Sequence, residues 1–446
     1  MNTNTLKSFA ASLRGRVITP PDATYEDARQ IWNAMIDRRP AAIVRAESAA
    51  DVQATIAFAR EQNLPLAVRG GGHSASGKGT CGEGIVLDMG PMRFVGVDPV
   101  RRTALAGGGA LWQDVDRETG AFGLATPGGA VSTTGIGGLT LGGGFGYLSR
   151  LHGMVVDNLL SVDVVTAEGK LLKASSQQNQ DLFWGLRGGG GNFGVATAFE
   201  YRLRAVPGVY GGLLVFPFTQ AKKVLQRYRD VSMAGPEALN LNAGLLPMPD
   251  GGKAAGVVAF YNGDPVEGER LLRPLRELGP LMDTVEWKPY ATMQQLLDAN
   301  YRKGLRNYWK SSYLKSLDDE LLDLLIARVA AAPAASHVLI EQSGGAVARV
   351  AADATAFEHR SAPYNLLILG LGIEPSHDET CISWARALWG ETQKWSTGGT
   401  YVNYLSEGDA VPVAYSSQTM QRLAVLKKKY DPDNLFRINA NILPAK

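Results

Sequence analysis

Two cysteines in 446 residues, Cys81 and Cys381, are too few for a secreted disulfide framework. Charge of one sign is also missing. The 45 lysines and arginines are matched by 43 aspartates and glutamates, a formal net charge of +2, which argues against an electrostatic nucleic-acid binder. No apolar run approaches the roughly 20 residues of a membrane-spanning helix. The opening MNTNTLKSFAASLRGRVITP likewise lacks the apolar core of a signal peptide. The five histidines form no HxH or HExxH grouping, so no metal centre is expected. A GxSxG serine is absent, which weakens a hydrolase reading. These absences leave a folded, cytoplasmic protein of two or three domains, with nothing in the sequence to set its oligomeric state.

Glycine is what the chain has in excess: 52 residues, about 12% against roughly 7% in an average globular protein. Three stretches concentrate it: RGGGHSASGKG at 69–79, TPGGAVSTTGIGGLTLGGGFGYLSR at 126–150 and RGGGGNFG at 187–194. Such spacing suits close backbone approach to a large flat ligand. Strands are expected at 42–45, 66–68, 85–87, 103–106, 159–166 and 195–203, and helices at 25–36 and 49–62. The first glycine loop therefore leaves the carboxyl end of a strand, a common ligand position. The 126–150 stretch is too glycine-interrupted to predict a regular element.

Composition changes after Pro207. Glycine thins, and apolar strands such as 213–216 and 256–261 alternate with helical stretches such as 318–329. The expectation is an α+β protein whose first domain spans 1–206, with a second domain inserted at 207–395 and a segment, 396–446, returning to the first. The basic run Lys427, Lys428 and Lys429 reads as the wet face of a late helix, and YRKGLRNYW, with Tyr301, Tyr308 and Trp309, as a helix end and loop.

Gly189, Gly191 and Gly194 spell GxGxxG, yet DLFWGLR precedes them where a strand should stand. No Asp or Glu follows between Tyr201 and Arg229 to hold a ribose, so a nicotinamide site is disfavoured. Gly77-Lys78-Gly79-Thr80 lacks the remainder of a P-loop. His73 is sharper: small Ser74 and Ala75 beside it leave the imidazole free to face a ligand. Cys81 reads as structural. If TYVNYL at 400–405 is a strand, Tyr401 and Asn403 share one face and Tyr404 takes the other.

RGGGHS at 69–74, GIGGLTLGGGFGYLSRLHG at 135–153, DN at 157–158, DLFWGLRGGGGNFGV at 181–195, YVNY at 401–404 and DPDNLF at 431–436 occur together in this order. In that combination the chain resembles the berberine bridge enzyme-like FAD-linked oxidases of the vanillyl-alcohol oxidase and p-cresol methylhydroxylase superfamily. The resemblance runs from about residue 16 to 444. It implies a two-domain FAD-binding fold of the p-cresol methylhydroxylase type, with an inserted antiparallel-sheet substrate domain. It also implies that His73 joins the flavin covalently. Val131 stands where doubly linked members carry a second, cysteine attachment, so one link is expected, as in the 6-hydroxy-D-nicotine oxidase-like branch.

By the same resemblance the backbone of Arg69, Gly70, Gly71, Gly72 and Ser74 would hold the diphosphate. Ser132, Thr133 and Thr134 would meet polar flavin edges, while Gly135, Gly137, Gly138 and Gly142 pass close to the ring. Gly191, Gly194 and Val195 would lie near the nucleotide, with Asn158, Asn403 and Asn439 as further cofactor contacts. Tyr404 and Tyr401 are the first candidates for proton transfer. Glu341 is an alternative that also reads as a strand-edge carboxylate, and a carboxylate base is disfavoured because 364–373 offers leucines where some members place a glutamate. The expected reaction is hydride removal from a small aromatic or heterocyclic amine or alcohol, an amine fitting best, with O2 reduced to H2O2. A flavin-linked dehydrogenase of an alcohol, sugar or secondary metabolite with another acceptor is the alternative.

Overall fold

The computed structural model describes residues 3–333 and 335–446. Ala42–Arg45, Ile85–Asp88 and Leu66–Arg69 form a parallel core, edged by antiparallel Arg16–Ile18. The helix Ala49–Glu61 makes the crossover, opened by Ser48, whose hydroxyl accepts from the Asp51 N–H. A second, antiparallel sheet runs in the order Val95–Asp98, Thr103–Gly107, Val195–Arg202, Leu159–Val165, Leu171–Ser175. Val44, Leu66, Leu87 and Met89 of the first sheet meet Val165 and Val195 of the second in one core, which Phe436 completes from the far end of the chain.

The inserted region builds an eight-stranded sheet on Val209–Pro217, Lys253–Tyr261, Leu239–Pro247, His337–Gln342, Tyr364–Gly372 and Arg306–Leu314. Strand alternation decides what each face does. Val338, Ile340, Leu366 and Ile368 point toward the helices Ala221–Ala234, Asp319–Ala330 and Asp378–Glu391. Leu367, Leu369 and Trp309 point the other way, onto Trp32 and Ala75 of the first domain. One side of the sheet is thus a private core and the other is a roof.

Several sequence expectations change. The helix at 25–36 is only Tyr25–Arg29. The 126–150 stretch contains two short helices, Ile136–Leu141 and Ser149–His152, because burial against neighbours overrides glycine's poor propensity. Residues 306–314 form a strand rather than a loop, paired along its whole length with Tyr364–Gly372. Val402–Tyr404 is a 3-10 turn, so Tyr401, Asn403 and Tyr404 are not divided between two sheet faces.

The largest correction is Lys427. On the helix Ser417–Tyr430, Lys428 and Lys429 are exposed but Lys427 is fully buried. Its ammonium donates to the Asn192 carbonyl at 2.9 Å, the Phe436 carbonyl at 2.9 Å and Asp431 at 2.6 Å. Asp431 in turn accepts from the N–H groups of Leu435 and Phe436. All three ammonium protons are used, which makes the buried charge tolerable. Lys427→Ala strands Asp431 in the interior and is expected to destabilise the protein by about 3–5 kcal/mol. Lys428→Ala should stay within ~0.5 kcal/mol, both read by denaturant unfolding.

Candidate active site

A long cleft runs between the first domain and the roof, enclosing about 1700 Å³ of empty space including its mouth. Its walls come from four separated stretches: the loop after Leu66–Arg69, residues 129–145, residues 190–196 and the tail segment 436–440. Trp309, Tyr401 and Tyr404 close one end. Leu66, Val68, Met89 and Phe436 wall the other.

Of the residues expected to meet the cofactor, the lining includes Gly70, Gly71, Gly72, His73, Ser74, Thr134, Gly135, Gly137, Gly138, Gly191, Gly194, Val195, Asn403 and Asn439. Tyr401 and Tyr404 line it as well. Arg69 turns its side chain away, to Asp88 at 3.1 Å and the Ala28 carbonyl at 2.7 Å. Ser132 is off the wall because its N–H and hydroxyl both bond Asp298. Thr133 also stands outside the lining. Asn158 spends its amide on the carbonyls of His152 and Met154, holding a turn. Gly142 sits behind the wall, where a Cβ would strike the Asn403 amide.

The glycines have two different reasons. A Cβ on Gly71 would lie 2.5 Å from the Gly135 nitrogen, so two walls touch there through bare backbone. At Gly138 and Gly191 a Cβ would meet no protein atom within 4 Å. Protein packing does not require glycine at those two places, whereas a large ligand in the cleft does. This open cradle is where the cleft fits FAD.

His73 stacks on Trp32 with ring centroids 4.2 Å apart. Its Nε2 is buried without a hydrogen-bond partner, and burial pulls the imidazole down to about 4, so the ring is neutral. From Trp32 the aromatic wall continues edge to face through Trp309 at 5.5 Å, Tyr404 at a further 5.5 Å and Tyr401 at 4.9 Å. The Tyr401 oxygen accepts from the Gly144 N–H at 2.8 Å and the Asn403 amide at 2.9 Å, fixing the turn to the 139–144 wall.

Glu341 is not at a strand edge: its strand is paired on both sides, with Leu239–Pro247 and Tyr364–Gly372. It alternates with Ile340 and so faces the roof's inner side. Tyr404 donates to Glu341 Oε1 at 2.9 Å, and Asn365 donates to Oε2 at 2.7 Å. Burial pushes the Glu341 carboxyl up to about 7, partly offset by those two hydrogen bonds. Burial and the Glu341 charge together push the Tyr404 phenol well above its usual range. Residues 364–373 hold no acid. The acid stands instead on the adjacent strand, where alternation with Val338 and Ile340 is the signal that finds it. Val131 lines the cleft as its place in the sequence implies, whereas Phe145, also on the wall, was hidden in sequence.

Residues 40–175 match the family model of the FAD binding domain, and residues 400–443 match that of berberine and berberine-like proteins. An FAD-linked oxidoreductase of Dictyostelium discoideum is 31% identical over 99% of this chain and 97% of its own. The (R)-6-hydroxynicotine oxidase of Paenarthrobacter nicotinovorans is 29% identical over 97% of each. Among solved structures, 6-hydroxy-D-nicotine oxidase from Arthrobacter nicotinovorans superposes with a TM-score of 0.88 at 28% identity, covering 97% of this chain and 99% of that one. The berberine bridge enzyme-like protein 1 of Physcomitrella patens superposes equally well, TM-score 0.88 at 25% identity over 99% of both chains.

Leucine at position 138 keeps good helix propensity while filling the open cradle. Gly138→Leu is expected to lower bound flavin per chain by about tenfold or more, without lowering the melting temperature of the flavin-free protein. Absorbance at 450 nm against protein concentration, with a thermal melt, checks both.

Proposed function

Since the chain belongs to the berberine bridge enzyme-like FAD-linked oxidoreductases, we propose that it is an oxidase of a small aromatic or heterocyclic amine or alcohol that forms H2O2. The observation that carries this reading is the Tyr404–Glu341 pair at the aromatic end of a glycine-walled cleft. Bound FAD supplies the two-electron acceptor that oxidises the substrate carbon and passes the electrons to O2. The aromatic rings of Phe145, Trp309, Tyr401 and Tyr404 sandwich a flat substrate and exclude water.

The proton chemistry belongs to Tyr404 and Glu341. With the carboxyl near 7, Glu341 is substantially ionised at neutral pH. As the phenolic oxygen of Tyr404 takes the proton of a substrate hydroxyl or ammonium, the phenol passes its own proton along the hydrogen bond to ionised Glu341, so no free tyrosinate forms. This serves an alcohol as readily as an amine, so the preference for an amine drawn from an absent carboxylate lapses. Tyr401, held by two N–H donors, positions the turn.

We further propose that His73 carries the only covalent link to the cofactor. Its neutral ring and unpartnered Nε2 support that assignment, as does Val131 where a cysteine would be needed for a second.

Acid-denatured protein should keep its yellow colour on the chain, and His73→Ala should release it. Aerobic turnover with stoichiometric H2O2 supports the oxidase; substrate bleaching without peroxide points to another acceptor. Glu341→Gln is expected to lower kcat roughly 10²- to 10⁴-fold. In the unaltered enzyme kcat should rise with pH through about 7 as Glu341 loses its proton, and the glutamine variant should lose that limb.

A further inference from the structure

Among the described residues that line the cleft, Lys78 is the one lysine, and no arginine, aspartate or glutamate stands with it. The loop that bears it is braced from behind. Arg38 donates to the carbonyls of Gly77 at 3.2 Å and Thr80 at 3.1 Å, and the Gly77 N–H returns to the Ser74 carbonyl. Gly77 takes a φ of +72°, with a would-be Cβ against Ile36, so this turn is specific to glycine. Ser74 and Ser76, also on the wall, bond each other at 3.1 Å. The result is one cationic, hydroxyl-bearing corner in a cleft otherwise walled by glycine, aliphatic and aromatic groups.

The Lys78 ammonium has no hydrogen-bond or ion-pair partner among the described residues. Asp409 acts on it electrostatically, but that carboxylate is already held by Lys310 and by the Ser406 N–H. The positive charge at Lys78 is therefore left over. An unpaired ammonium facing a cleft is unfavourable unless something negative comes to it. Two anions can enter: a phosphate of the dinucleotide or an acidic group on the substrate.

Position favours the substrate. Ser406, which Asp409 caps, bonds both the N–H and the carbonyl of Trp309, and Trp309 packs on Tyr404. Lys78 thus answers to charges at the aromatic, reacting end. The amide-rich loops suited to phosphate, 70–74 and 190–194, already offer backbone donors. We propose that Lys78 binds a carboxylate of the substrate, which makes that substrate an aromatic amino or hydroxy acid rather than an uncharged amine or alcohol. This rests on the oxidoreductase reading above and narrows it.

The test uses flavin-loaded protein with benzoate as the probe and benzamide as its uncharged isostere, followed by perturbation of the flavin visible spectrum. Benzoate should bind at least about tenfold more weakly to Lys78→Gln than to the unaltered protein, and within about threefold in Lys78→Arg. Benzamide should bind the three alike. Burial lowers Lys78 to about 8, so benzoate affinity should fall as pH rises through that value and should persist in the arginine variant. The variant comparison isolates Lys78 from the other titrating groups there, Glu341, Tyr404, Asp409 and Lys310. Equal benzoate binding in Lys78→Gln overturns the proposal, as does benzamide matching benzoate. Loss of bound flavin in Lys78→Gln also overturns it, assigning the charge to the cofactor phosphate. Absence of flavin from the unaltered protein would sink the oxidoreductase reading itself, and colour alone reports that.

Discussion

One buried ammonium holds the cleft closed. Lys427 ties together three segments: Asn192 in the third glycine loop, Phe436 in the tail, and Asp431 in the turn that leads from its own helix to that tail. Asn192 repeats the connection, donating to Ala440 and accepting from the Ile442 N–H. Without this junction the tail has little reason to lie where Phe436 completes the first core and Ile438 to Ala440 complete the cleft. A charge in that place is unfavourable as solvation but specific as geometry, because only one arrangement satisfies all of its donors.

Two ordinary rules then build the chemistry on that frame. Backbone approach without side chains brings the loops at Gly71 and Gly135 into contact, so the cleft floor is narrow and stiff there. Alternation along paired strands sends Ile340 to the helices and Glu341 toward the roof's inner face, where Tyr404 is waiting at 2.9 Å. The acid is raised by burial and restrained by Asn365, so it changes charge in the range where an enzyme can use it.

Much of this was legible in the chain. The strand ends, the helix expected at 49–62 and the three glycine stretches are local features, and they stand close to where spacing predicts them. What was illegible depended on distant partners. Lys427 sits among lysines and looks solvated until Asp431 and Asn192 are brought around it. Glu341 looks like an edge residue until its strand is found to be paired on both sides. Residues 401–404 read as alternating strand, yet the Gly144 and Asn403 donors on Tyr401 hold them as a tight turn. Ser132 shares its stretch with true wall residues, but Asp298, 166 positions further on, claims both its N–H and its hydroxyl, while Asn158 is spent on the nearby carbonyls of His152 and Met154.

The tail has a temporal consequence. Phe436, Ile438, Asn439 and Ala440 are synthesised about 360 residues after Gly70 and Gly71, and they supply one side of the cleft. While they remain inside the ribosome the nascent first domain has an open trough where a walled slot will be. The walled slot that a dinucleotide needs is therefore complete only once residues 436–440 have docked.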